Sequence, residues 1–195
     1  MPNLLSNYVG GSKPKLITRL TSGTGTYVPT ADMARCLVFV QAGGSGGHSS
    51  NTNYGGGAGQ CRVVTMRIPI AGVSYVVGAG GGSATAGGNS KFDVHVAHGG
   101  QPSSTNSGGG YGSGCVDGIP GGCGGGGSGS GAAGWPATIT SPATGSSGAY
   151  GGGDSAFGKG GVPGGAAATG YGSGEASGSG RTAPGGVIEI WDFGA

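Results

Sequence analysis

The sequence predicts a mainly β fold with almost no helix: a small antiparallel sandwich or jelly-roll-like frame that carries inserted glycine-rich segments of the polyglycine II type. Three observations predict it. The 195 residues include 54 glycines, concentrated in runs at 43–59 and 78–88 and in a long stretch at 99–186. Short apolar segments rich in β-branched and aromatic residues precede, interrupt and close these runs, ending in VIEIWDF. No segment has the apolar spacing of an amphipathic helix.

Taken alone, a glycine run is a flexible linker, because glycine has no side chain to bury and loses the most conformational freedom on folding. A linker has no need of a strand frame on both sides, so an ordered form is expected. Polyglycine II has about three residues per turn and no internal hydrogen bonds. Its N–H and C=O groups all point outward, so it is stable only where parallel neighbours satisfy them. Glycine is then required wherever a neighbour approaches. The quartet 124–127 suits a bundle interior, whereas 108–110 followed by Tyr111 and 151–153 followed by Asp154 suit its periphery. No strict Gly-X-Y register is kept, which excludes collagen.

In chain order, residues 1–13 read as an arm or attachment segment, and 14–195 as one glycine-rich β domain with its long insertion at 99–186. Residues 15–20 alternate Leu16, Thr18 and Leu20 against Lys15, Ile17 and Arg19, as an edge strand does. A short extended piece follows at Tyr27 and Val28. The run CLVFVQ at 36–41 is continuously apolar up to its last residue, as a strand buried on both faces is. Residues 62–70 put Val64, Met66, Ile68 and Ile70 on one face and Arg62, Val63 and Arg67 on the other, with Pro69 at the strand end. Residues 74–77 form a short strand. In 91–96 Phe92, Val94 and Val96 alternate as inward positions with Lys91, Asp93 and His95 outward, and the closing strand at 187–193 is expected to pair with this set. About six strands result.

Charged residues are only 8% of the chain and the net charge is +2, against roughly 25% charged in ordinary globular domains. No basic stripe, RGG repeat or interleaving of basic and aromatic residues is present, so nucleic acid is not an expected partner. The longest purely apolar run, 36–40, is far too short to span a membrane, and membrane insertion is not expected. The start MPNLLSNYVGG has neither a basic patch nor an apolar signal core.

Catalytic and metal motifs fail on context. GSGAAG at 129–134 has neither a strand before it nor a helix after it, so it is no dinucleotide fingerprint. GDSAFGKG at 153–160 approaches a phosphate loop but puts Gly160 where Ser or Thr would hold magnesium. Asp93, His95 and His98 read as a solvated face. Cys36 and Cys61 read as buried apolar thiols, while Cys115 and Cys123 fit no zinc spacing and leave a loop disulfide open. No catalytic residue, metal site or cofactor is expected.

The aromatics set among small residues carry the binding expectation. Each has two roles open to it: packing the edge of the glycine bundle, or serving as a rigid contact residue at a recognition surface. On the second reading the contacts are Tyr54, Tyr111, Trp135, Pro136, Tyr150 and Tyr171. Recognition is expected at the connections where glycine thins out, namely 49–54, 101–106, 116–120, 135–147 and 166–171.

Four blocks follow one another in a definite order: LTSGTGTYVPTADMARCLVFVQAGGSGG, then YGGGAGQCRVVTMRIPIAGVSYVVGAGGGSATAGGNSKF, then AHGGQ, then APGGVIEIWDF. This order resembles the glycine-rich domains of tail fibres and tail-tip adhesins of tailed bacteriophages, and the resemblance covers roughly residues 18–195. A similar layout occurs in glycine-rich extracellular domains of some receptor tyrosine kinases, whose cysteine density and secretion signal this sequence lacks. The phage resemblance implies a non-enzymatic virion component, assembled in the host cytoplasm and placed in the tail. Its partners would be a bacterial surface receptor (protein, pilus or polysaccharide) and other phage tail proteins. It also implies a homotrimer, with cysteines kept mostly as thiols by the reducing cytosol. The alternative within that class is a purely structural tail protein that joins or caps other components. Ice binding would need a flat array of regularly spaced Thr or Ala, which the sequence does not show.

Overall fold

The computed structural model describes residues 15–31, 33–48, 55–102, 152–153, 155–161, 166–176 and 180–192. They are mainly β, with eight strands in two antiparallel sheets and no helix among them. The strands are β1 (Lys15–Leu20), β2 (Thr24–Tyr27), β3 (Met33–Gln41), β4 (Cys61–Ile68), β5 (Val73–Val76), β6 (Ser90–Phe92), β7 (His95–Ala97) and β8 (Val187–Asp192). One sheet has the order β1-β8-β3-β4 and the other β2-β5-β6-β7.

The two sheets pack face to face. Cys36, Val38, Val40, Ile188 and Ile190 from the first sheet meet Val73, Phe92 and Ala97 from the second. These side chains alternate along β3 and β8, which is why a strand of nearly continuous apolar residues can be central. Phe92 is fully buried and stacks at a tilt on Tyr27, their centroids 6.3 Å apart. The edge position of β1 agrees with its sequence pattern: Leu16, Thr18 and Leu20 are half-buried and the residues between them exposed. On the outer face of the first sheet, Glu189 ties this edge down. Its carboxylate accepts from Arg19 Nε at 2.7 Å and from Trp191 Nε1 at 3.1 Å.

The structure corrects three expectations. Residues 91–96 are not one strand: β6 and β7 form a hairpin whose turn is Asp93–Val94, with Asp93 at φ 55° and Val94 74% exposed. Asp tolerates that left-handed backbone better than most residues, so an apparently regular alternation conceals a chain reversal. The closing strand β8 lies between β1 and β3, in the opposite sheet from β6 and β7. Arg62 is paired with Val40, so it lies on the core side of β4 with Val64 rather than on the opposite face, and Ile70 falls in the turn after β4 and is exposed.

Every strand runs between two ends of this sandwich. At one end β3, β5 and β7 lead out into glycine segments and β4, β6 and β8 return from them. At the other end lie the β2–β3, β4–β5 and β6–β7 turns, together with Lys15 and Asp192, which pair with each other.

Candidate functional site

The glycine segments are ordered by hydrogen bonds to one another. Residues 42–47, which continue β3, are fully enclosed. Ala42 and Ser45 donate to Gln60 and Gly57, Gly43 and Gly46 to Gly88 and Thr85, and Gly44 to Pro184, at 2.9 to 3.2 Å. Carbonyls of the same segment accept from Gly81, Gly100 and Glu175. The donors therefore turn to a new neighbour at each residue and come back to the first after three, which is the threefold repeat of polyglycine II. Three neighbours receive and three donate, so the central segment is surrounded on all sides.

The direction of the neighbours departs from expectation. Partners step three residues forward along 42–47 while stepping three back along 55–60, and the same holds against 85–89. Those pairs are antiparallel, whereas 77–82 and 172–176 run the same way as the centre. Because each segment points its polar groups radially, either direction satisfies them, and short turns require the antiparallel one.

Glycine is required where backbones meet. A Cβ on Gly43, Gly44 or Gly46 would lie less than 3.0 Å from the carbonyl oxygens of Ala79, Ser173 and Gly82. Among the described residues, enclosed side chains within the bundle are mostly small, such as Ser45 and Ser173, with Glu175 the large exception. At the junction, Gln41 Nε2 donates to the carbonyls of Gly59 at 2.8 Å and Ala42 at 3.1 Å. Ser90 Oγ donates to the Gln41 carbonyl at 2.8 Å and accepts from Gly78 N–H at 2.9 Å. These two buried polar residues couple the sheets to the bundle.

The candidate site is the outer end of this bundle. The tight turn at Ser83 and Ala84 lies there, with Ala84 at φ 52° and its N–H donating to the Gly47 carbonyl. Thr85 Oγ1 closes the turn on the Gly82 carbonyl at 2.9 Å. Gly47 and Gly55, on either side of 49–54, are at this end, as are Pro102 and Gly152, which flank 103–151. Pro102 bridges to Gly56, and Gly153 donates to the Gly56 carbonyl. Tyr54, Tyr111, Trp135, Pro136 and Tyr150 themselves lie outside the described residues, as do Cys115 and Cys123.

Tyr171 sits elsewhere. It is half-buried at the sandwich end of the bundle, where it bridges to Phe157 and its carbonyl accepts from Ser155 Oγ. Phe157 in turn packs edge-on against Phe39 of β3, their centroids 6.1 Å apart. This turn thus docks on the outer face of the first sheet. The Ser83–Ala84 turn is the feature that sequence reasoning missed; its signal was the Ser-Ala-Thr-Ala stretch between two glycine runs.

Cys36 and Cys61 are free and buried. Burial pushes the Cys36 thiol up to about 11, and burial with the nearby Glu189 carboxylate pushes Cys61 up to about 12, so neither is a nucleophile. Glu175 is buried in the bundle, where its Oε1 accepts from Ala168 N–H at 3.0 Å. Among the described residues no group of three His, Cys, Asp or Glu could hold a metal ion. The chain is thus defined as a β-sandwich bearing a polyglycine II bundle. No protein-family model and no curated protein matches it.

Proposed function

We propose that the protein is a non-enzymatic virion component of a phage tail fibre or tail tip that binds a receptor on the bacterial surface through the outer end of its glycine bundle. One observation supports this reading above the others. The described residues on either side of 49–54 and 103–151 stand at that end, and these two stretches contain Tyr54, Tyr111, Trp135, Pro136 and Tyr150. A rigid bundle separates recognition from folding, because the connections between its packed segments change sequence without disturbing them. Tyr171, packed at the sandwich end, is better suited to holding the bundle to the frame.

Trp135 beside Pro136 is the strongest contact candidate, since a large aromatic next to a rigid residue supplies area at low entropic cost. Trp135→Ala is expected to cut attachment of particles to host cells at least tenfold while leaving the melting temperature of the purified protein unchanged. Unchanged attachment would remove Trp135 from the site, and a large drop in melting temperature would make it structural. The purely structural tail role predicts that no substitution at the outer end affects attachment.

A further inference from the structure

Arg62 carries the anomalous charge of the sandwich. Of the described arginines, Arg19 pairs with Glu189, while Arg35, Arg67 and Arg181 are exposed and each interacts with another group. Arg62 is half-buried, forms no ion pair among the described residues, and holds its Nε buried without a hydrogen-bond partner. A cation withdrawn from water and left unpaired is unfavourable, so its counter-charge is to be sought outside the chain.

The fold places this side chain in a seam. β4 and β7 are edge strands of the two sheets and lie against each other on one flank of the sandwich. Arg62 faces the second sheet from there, since it pairs with Val40 on the core side of β4. At the bundle end the seam is closed by Gln60, whose N–H donates to the His98 carbonyl at 2.8 Å and whose Oε1 accepts from His98 N–H at 3.0 Å. The exposed side chains beside this closure are basic: His98 itself, and Lys91 of β6, which pairs with Val96 of β7. β4, β6 and β7 contain no acidic residue.

We infer that the seam beside Arg62 binds an oxyanion, a carboxylate or phosphate group, with the guanidinium as its central donor. A guanidinium is planar and permanently charged, and its N–H fork matches the paired oxygens of either group. The site lies on the flank of the sandwich, away from the bundle tip, and does not depend on what the tip recognises. A charge pointing inward from an edge strand has one other use, which is to keep the edges of two copies from pairing. The test separates the two.

Purified protein is titrated with inorganic phosphate and with glucuronate, against chloride at matched ionic strength. Phosphate or glucuronate is expected to shift the Arg62 Nε–H resonance and raise the melting temperature, and chloride to do neither. Arg62→Gln should weaken binding at least tenfold and Lys91→Gln several-fold, while Arg67→Gln on the same strand binds as wild type does. Arg62→Leu should lose the response yet melt no lower than wild type without anion, because an apolar side chain replaces an unpaired charge. Either anion binding in this way supports the inference, and the tighter of the two names the source. No shift at millimolar anion would overturn it, as would an equal response in Arg62→Gln. Self-association of Arg62→Leu, with wild type indifferent to anions, would make Arg62 an edge guard and overturn it too.

Discussion

The sandwich and the bundle lie end to end and are held together by opposite means. In the sandwich, side chains such as Phe92, Val38 and Ile190 interlock and the backbone is satisfied as a by-product of strand pairing. In the bundle the backbone is the packing surface: segments approach so closely that a Cβ meets a neighbour's carbonyl oxygen. Removing atoms damages the first region and adding them damages the second. The contrast shows that an ordered interior requires complementary surfaces, and that apolar side chains are only one way to make them.

The largest effect is expected from deleting a core ring. Phe92→Ala is expected to cost about 3 to 5 kcal/mol in chemical denaturation, from lost burial plus the cavity left between the sheets. A cost under about 1 kcal/mol would show that the two sheets do not share a close-packed core.

The mirror experiment adds one methyl group. Gly44→Ala is expected to cost about 3 kcal/mol, at the upper end for overpacking, because the atom it would strike is the Ser173 backbone carbonyl, which no rotamer change can move aside. Amide exchange should then rise in 42–47 and 55–60 while Val38 and Ile190 stay protected. Wild-type exchange in 42–47 and 55–60 would refute close packing, and equal loss everywhere would mean that the Gln41 and Ser90 contacts join the regions into one cooperative unit.

A smaller effect is expected at the edge strand. Glu189→Gln should cost about 1 to 2 kcal/mol, since it weakens the charge-assisted bond from Arg19, which is itself half exposed. The difference between wild type and variant should shrink at high salt.

The smallest expected effect is one of pH. Burial holds the protons of Cys36 and Cys61 more tightly in the folded protein, at about 11 and about 12, than the 9.0 of an unperturbed thiol. Their contribution is therefore complete below pH 9 and is lost as pH rises through these values. The melting temperature should fall across that window. In Cys61→Ala the fall should be shallower, and an equally steep fall would assign it to other groups.

Much of this was legible in the residues. The edge pattern of Lys15–Leu20 and the buried run within Met33–Gln41 follow from which side chains tolerate water, and the need for glycine follows from a backbone with no internal hydrogen bonds. Other features were hidden. Asp93 and Val94 continue a two-residue alternation through a reversal of the chain, and Tyr171 looks like the other isolated aromatics although it packs at the opposite end from the Ser83 turn.

The division has a physical cause. The sequence alone determined the β class, the order of strands and glycine runs, and the places where a side chain is forbidden, because these depend on local composition and period. Only the tertiary structure decided which sheet receives β8, which segment becomes the centre of the bundle, and which of its neighbours run antiparallel. A glycine segment has no side chain to name its partner, and radial N–H and C=O groups accept a neighbour of either direction. The choice is therefore made by the strands that hold the segment ends and by the lengths of the turns between them.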